Sequence, residues 1–108
     1  MYRDEEELNE VAMNIIVHAG DARNIIMKGI EYAKSKNFDE ANDCIVEAKH
    51  LINKAHISQT KVIQDYANGD DINPNLLFIH AQDTLMTIKT EVNIYSELID
   101  ILKMFFSD

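Results

Sequence analysis

The chain is short of the residues that bend, break or cross-link a polypeptide. Its 108 residues include three glycines, one proline, one cysteine and no tryptophan. Scarce glycine and proline leave few turns, which favours a small number of long elements. A single cysteine cannot form a disulfide within the chain and is typical of a reducing compartment. We therefore expect a cytoplasmic protein made of a few long elements.

Positive charge is scarce as well. The chain has ten Lys and Arg against nineteen Asp and Glu, and its formal net charge is −9. Phosphates would repel such a chain, so we expect neither nucleic acid nor an anionic membrane surface as a partner. Residues 1–10 lack the basic start and apolar run of a signal peptide. No apolar run approaches the roughly 20 residues of a membrane span, so no membrane insertion is expected. A partner protein with a basic face would suit this charge.

Apolar residues recur with helical periodicity along the whole chain, and no strand pattern appears. The pattern predicts one domain, residues 1–108, with helices over about 4–35, 38–67 and 74–106. The first apolar stripe is Leu8, Ala12, Ile15, Ala19, Ala22, Ile26, Gly29 and Ala33. The second is Ala41, Cys44, Ile45, Ala48, Leu51, Ile52, Ala55, Val62 and Tyr66, interrupted by Ser58 and Gln59. The third is Phe78, Ala81, Leu85, Ile88, Val92, Tyr95, Ile99, Leu102 and Phe106. Short connections make neighbouring helices antiparallel, which predicts an all-α, up-down-up three-helix bundle.

Asparagines mark the expected helix starts. Asn37, followed by Glu40 three residues later, predicts a capping box at the start of the second helix. The run from Asn68 to Asp71 should end that helix. Asn73 is then the expected cap of the third helix, with Pro74 in its first position.

The third helix carries polar residues where a purely structural helix would not need them. His80 lies at one edge of the apolar stripe, and Asp83 lies about 60° further round. Thr84, Thr87 and Glu91 follow His80 on nearly the same line of the helix. Together they predict a polar groove beside the apolar stripe. Four apolar residues lie outside the stripe on the side of Asp83: Leu76, Ile79, Met86 and Ile94. A second apolar face predicts groove packing or contact with another chain.

Two interpretations of His80 follow from the pattern alone. A histidine at the edge of an apolar stripe is most often a hydrogen-bonded structural residue. A neutral imidazole, with an ordinary pKa of about 6.5, can also attack a phosphoryl donor and carry the group as phosphohistidine. Asp83 on its own is typical of a solvated surface charge. The residues leave both alternatives open.

Three segments resemble one known family. His80 to Thr87 reads HAQDTLMT, similar to the active-site pattern HAQDHLMT of the lactose/cellobiose-type enzyme IIA of the bacterial phosphoenolpyruvate-dependent sugar phosphotransferase system (PTS). His18 to Arg23 resembles the family's HAGxAR, and Ala55 to Thr60 resembles its AHxxQT. The three segments occur in order over nearly the whole chain. One departure is Thr84, where the family often has a second histidine.

The resemblance implies a function and an assembly. His80 would accept a phosphoryl group from the histidine phosphocarrier protein HPr and pass it to a cysteine of the cognate enzyme IIB. That transfer would serve uptake of a β-linked disaccharide of the lactose, cellobiose or chitobiose class. The chain would form a homotrimer of nine helices with the third helices near the axis, where one Asp83 per chain would hold a single Mg²⁺. Possible neighbours of His80 in the groove are His18, His56, Gln59, Thr84 and Thr87.

Electrostatics complicate this interpretation, because a phosphoryl group would lie near Asp83 and Glu91 with no arginine expected beside it. Either a partner supplies positive charge, or the carboxylates point elsewhere. A hydroxyl at Thr84 cannot carry the positive charge that a histidine could. Cys44 lies on an apolar stripe and is interpreted as a small core residue. The alternative function is a non-catalytic, trimeric helical interaction or regulatory module.

Overall fold

The computed structural model describes residues 5–69 and 75–106, and this part of the chain consists of three α-helices. Helix α1 is Glu5–Lys34, α2 is Phe38–Ala67 and α3 is Leu76–Phe106. The predicted ranges began at residues 4, 38 and 74; residues 4 and 74 lie outside the described part. The bundle measures 56 × 21 × 17 Å, about the length of one 30-residue helix with its ends. The predicted all-α three-helix class is confirmed.

Helix α1 lies against both other helices and supplies one complete stripe of the core. All eight positions of its predicted stripe are buried, from Leu8 to Ala33. Five of the eight are alanine or glycine, which lets the partner helices approach closely. At Gly29 the approach is close: a Cβ there would lie 3.0 Å from Cβ of Cys44 and 3.4 Å from Cδ1 of Ile99. The small residues thus fix how near α2 and α3 lie to α1.

The stripes of α2 and α3 differ from the sequence prediction at particular positions. Gln59 was expected to interrupt the apolar side of α2, yet it is buried and continues it. Tyr66 and Phe106, predicted to extend the two stripes, are exposed because each lies at the last turn of its helix, where little of the bundle remains to cover it. Ser96 of α3 is buried instead, and its hydroxyl donates to the Val92 carbonyl at 2.7 Å. That bond satisfies the hydroxyl within its own helix.

The turn between α1 and α2 is closed by backbone hydrogen bonds. The Asn37 N–H donates to the Tyr32 carbonyl at 2.9 Å, and the Lys36 N–H donates to the Ala33 carbonyl at 3.0 Å. This pair is the Schellman arrangement, and Lys36 takes the left-handed position with φ of 64°. Asn37 precedes α2 as predicted, but its side chain makes no capping hydrogen bond, so the predicted capping box with Glu40 is wrong. The reversal from the left-handed residue leaves Asn37 with φ of −87° and ψ of 72°, outside the extended backbone of a usual N-cap.

Helix α3 begins with a side-chain cap that also ties it to α1. Asn75 Oδ1 accepts a hydrogen bond from the Phe78 N–H at 2.8 Å, while its Nδ2 donates to Asn9 Oδ1 at 2.7 Å. The predicted cap Asn73 and the predicted first residue Pro74 lie outside the described residues. Asn75 therefore serves as the N-cap two residues later than expected, one and a half turns before His80.

Replacing Asn75 with alanine should lower the free energy of unfolding by about 1 kcal/mol, the usual cost of losing a side-chain N-cap. The amide of Phe78 should lose hydrogen-exchange protection, because its capping acceptor is gone. Urea denaturation and exchange measured by NMR check the two results. Asn37→Ala is the matched control: Asn37 precedes a helix without capping it, so this change should cost only a few tenths of a kcal/mol. Equal losses from both changes would contradict the assignment.

Candidate functional site

Two contacts set the register between α1 and α3. The Asn75–Asn9 bond joins residues 66 apart in sequence, and Arg23 Nε pairs with Glu91 Oε1 at 2.8 Å across a separation of 68. A residue of α1 therefore lies beside the residue of α3 about 67 positions later. By this register His80 lies at the level of Met13, near the end of the bundle where α3 begins.

His80 lies exposed on the side of α3 that borders α1. It is eleven residues, or about three turns, before Glu91, so the two share one line of the helix. Thr84 is half-buried and Thr87 is exposed on the same line. No described residue hydrogen-bonds the His80 ring. His80 is therefore not a buried histidine that holds the fold through a hydrogen bond.

The carboxylate of Glu91 is paired and lies well along α3 from His80. It pairs with Arg23 of α1, and it lies about 16 Å further along α3 than His80 at 1.5 Å per residue. This pair answers the electrostatic difficulty for Glu91, because its charge is neutralised by the arginine of the HAGDAR segment. The sequence did not predict this pair. Helical periodicity predicts the side of its helix on which a residue lies, but not how α1 and α3 are aligned along the bundle.

His18 lies on a different side of the bundle from His80. Its Nδ1 is 2.8 Å from the Asn14 carbonyl, one turn earlier in α1. It shares a face with Ile25, two turns later, and Ile25 lines a groove between α1 and α2 together with Cys44. Arg23, by contrast, lies on the side of α1 that meets α3. Within one chain, the structure does not bring His18 beside His80.

His56 lies in a third groove, between α2 and α3. It lines this groove with Lys89 and Asn93. Lys89 follows His80 by nine residues, or two and a half turns, so it lies on the opposite side of α3. Gln59, one turn after His56, is buried in the core. The residues expected to surround His80 thus divide among three grooves, and only Thr84 and Thr87 share its line.

Asp83 is exposed, with His80 and Thr87 on one side of it along the helix and apolar residues on the other. Ile79 precedes it by one turn and Met86 follows it by one turn, each about half exposed. Further exposed apolar residues continue this surface, which we term the outer face of α3: Leu76, Ile79, Met86, Ile94, Leu98 and Ile101. The outer face lies opposite the buried stripe of the same helix. A single carboxylate inside an apolar strip needs further oxygens to hold a cation, and these would come from water or from other chains.

Cys44 does not have the surroundings of a reactive thiol. Burial raises the pKa of the Cys44 thiol, while Lys28 lowers it and Glu47 and Asp43 raise it further. The thiol is thus held protonated and is a poor nucleophile, as expected of a small core residue. Within the two described ranges, no three His, Cys, Asp or Glu side chains come together as a metal site. None of the three helices is long and apolar enough to cross a membrane over its described residues.

Comparison with known proteins gives one consistent result. The sequence profile of the family described as "PTS system, Lactose/Cellobiose specific IIA subunit" matches residues 10–103. The lichenan-specific phosphotransferase enzyme IIA component of Bacillus subtilis is 36% identical over 96 residues, which cover 89% of this chain and 87% of that protein.

Solved structures agree with the sequence match. The crystal structure of the PTS cellobiose-specific enzyme IIA from Bacillus anthracis superimposes with a TM-score of 0.83 at 36% identity, covering 89% of this chain and 88% of the other. The IIA(chitobiose) structure solved in complex with HPr, from Escherichia coli, superimposes with a TM-score of 0.78 at 30% identity, covering 91% and 95% of the two chains. The three-helix arrangement and the sequence therefore point to the same relatives.

Proposed function

Because the chain belongs to the lactose/cellobiose-specific IIA family of the sugar phosphotransferase system, we propose that it carries a phosphoryl group on His80. The donor is HPr, the protein bound to the chitobiose relative in its solved complex. The acceptor is a cysteine of the cognate enzyme IIB, and the transfer takes place in the cytoplasm. The relatives are named for lichenan, cellobiose and chitobiose, so the sugar that is finally phosphorylated is a β-linked saccharide.

The chemistry requires little more than an accessible imidazole. A neutral ring nitrogen of His80 attacks the phosphorus of phospho-HPr, the new N–P bond forms, and the N–P bond to the donor breaks. The phosphoryl group moves from one imidazole to another, so the free-energy change of the transfer is close to zero. Positioning then supplies most of the catalysis. A surface residue on a rigid helix suits this task, because two partner proteins must reach it in turn.

The observation that carries the proposal is the exposure of His80 without a hydrogen-bond partner among the described residues. An imidazole held in the core could not reach a second protein. The net charge of −9 supports docking to a basic partner surface through electrostatic steering. The Arg23–Glu91 pair supports it further, since it removes one negative charge from the line on which the phosphoryl group would lie.

The direct test is phosphoryl uptake. The protein is incubated with phosphoenolpyruvate, enzyme I and HPr, and its intact mass is measured. We expect the gain of one acid-labile phosphoryl group per chain. No gain alongside active upstream proteins would leave the alternative, a non-catalytic helical interaction module, as the better account.

The same proposal includes a homotrimer packed through the outer face of α3. Six exposed apolar residues on one face of α3 are the kind of surface that marks contact with another protein chain. Asp83 lies within this surface, so a three-fold axis there would bring three carboxylates together. Carboxylate oxygens and water are the ligands that Mg²⁺ prefers, and three Asp83 side chains would hold one ion. The ion would neutralise their mutual repulsion and thereby stabilise the assembly.

Removal of divalent cations by EDTA should weaken the trimer of the natural protein. Bound at a hundred times its Kd, one ion would stabilise the assembly by about 3 kcal/mol. Asp83→Asn should abolish the effect of EDTA, because the neutral amides do not repel one another. Asp100→Asn, another exposed carboxylate on α3, is the control and should keep the cation dependence. Sedimentation velocity with and without EDTA distinguishes these results. A trimer equally stable in both conditions would contradict the metal assignment.

A further inference from the structure

The groove between α2 and α3 has an unusual composition for this protein. Its volume is about 200 Å³, enough for several water-sized groups. Its polar lining consists of Lys49, Asn53, His56, Lys89 and Asn93. None of the described residues that line it is Asp or Glu, although the chain carries nineteen of them. The groove therefore presents nitrogen donors without a competing carboxylate.

The two lysines of this groove are not engaged elsewhere. Among the described residues, no carboxylate lies within ion-pair distance of either ammonium group. Lys89 is half-buried and Lys49 is exposed at the rim. Elsewhere in the bundle, Arg23, Lys34 and Lys61 each pair with an acidic residue. Two positive charges left unpaired across one groove favour an anion between them.

His56 adds an unsatisfied polar atom to the same groove. Its Nδ1 is buried and has no hydrogen-bond partner among residues 5–69 and 75–106. His18 shows the usual solution for a helical histidine, since its Nδ1 lies 2.8 Å from the carbonyl one turn earlier. His56 does not make the corresponding bond. Leaving such a buried atom unpaired is unfavourable, and a ligand in the groove could pair with it after a rotation of the ring.

We propose that this groove binds phosphate, either as the free ion or as the phosphoryl end of a phosphomonoester. The two ammonium groups would neutralise the dianion, and the His56 ring and the Asn53 and Asn93 amides would donate to its oxygens. The site is separate from His80, because Lys89 lies on the opposite side of α3. It goes beyond the phosphoryl transfer proposed above: the ligand is held without forming a covalent bond.

Binding is tested on the full chain by titrating inorganic phosphate against chloride at constant ionic strength. We expect saturable shifts of the His56 ring signals in heteronuclear NMR spectra, together with binding heat by calorimetry. Lys89→Met and Lys49→Met keep the apolar stems of the side chains and remove the charges. Each should weaken binding about tenfold, the usual worth of a charge-assisted hydrogen bond. Lys54→Met, an exposed lysine of α2 outside the groove, should bind like the natural protein.

The comparison of ligands separates the two sources of the phosphate group. Tighter binding of a hexose 6-phosphate than of inorganic phosphate would identify a phosphomonoester site, and the reverse would identify a site for the free ion. Equal loss of binding in Lys54→Met and Lys89→Met would show unspecific attraction and overturn the proposal, as would unchanged His56 signals. His80→Gln should bind phosphate normally, so failure of phosphoryl transfer and failure of this site are distinguishable.

Discussion

A chain carrying His80→Gln should gain no phosphoryl group from phospho-HPr, whereas the natural chain gains one. Glutamine keeps the length and polarity of the side chain but has no nucleophilic ring nitrogen. Because His80 is exposed and has no described hydrogen-bond partner, its replacement should change the free energy of unfolding by less than about 0.5 kcal/mol. Intact mass after incubation with the upstream proteins, and a thermal melt of the same sample, check both statements.

Two further variants make the result specific. His50→Gln replaces another exposed histidine, on α2, and should take up the phosphoryl group as the natural chain does. Thr84→His puts an imidazole on the same line one turn after His80, where it could donate to the phosphoryl oxygens, so the phosphorylated form should hydrolyse more slowly. Uptake by His80→Gln equal to that of the natural chain would show that another residue accepts the group, and His80 would lose its assigned role.

Helical periodicity was enough to predict the fold. The first stripe is buried at every predicted position because burial along a bundle helix depends mainly on angle, and angle follows directly from sequence spacing. The predictions of burial that failed are those for which the angular position around the helix does not decide burial. Tyr66 and Phe106 have the right angle but lie at helix ends, where the partner helices no longer cover them. Gln59 is polar, yet its position in the middle of α2 buries it.

The site was predictable only in part, for a related reason. The angular position of His80 predicted that it shares one line of α3 with other polar residues. In the structure it lies on that line and is exposed. Which other helix borders that line depends on the register between helices, which a single sequence does not contain. Asn75–Asn9 and Arg23–Glu91 set that register through side chains far apart in sequence. His18 and His56 were therefore grouped with His80 by resemblance, while within one chain they lie in other grooves.

Gly29→Leu should lower the free energy of unfolding by about 1–2 kcal/mol. A Cβ at this position would lie 3.0 Å from the Cys44 Cβ, closer than such atoms normally pack, and 3.6 Å from the Ala41 carbonyl oxygen. Glycine is a poor helix former, so leucine gains up to about 1 kcal/mol in helix propensity. Overpacking a tight helix contact typically costs 1–3 kcal/mol or more, and leucine adds three carbons beyond the clashing Cβ. The steric term therefore exceeds the gain, and α2 must move away from α1.

Gly20→Leu separates the two terms, because it makes the same substitution in the same helix where space is open. Apart from its chain neighbours and the nearby backbone of its own helix, no described atom lies within 4 Å of a Cβ at Gly20, so only the propensity gain remains and stability should rise by up to about 1 kcal/mol. Gly29→Ala should fall between, since its single carbon meets Cys44 but adds nothing beyond it. Urea denaturation of the three variants at one protomer concentration measures the series. If Gly29→Leu proved as stable as Gly20→Leu, the close approach of α1 and α2 at Cys44 would not exist in solution.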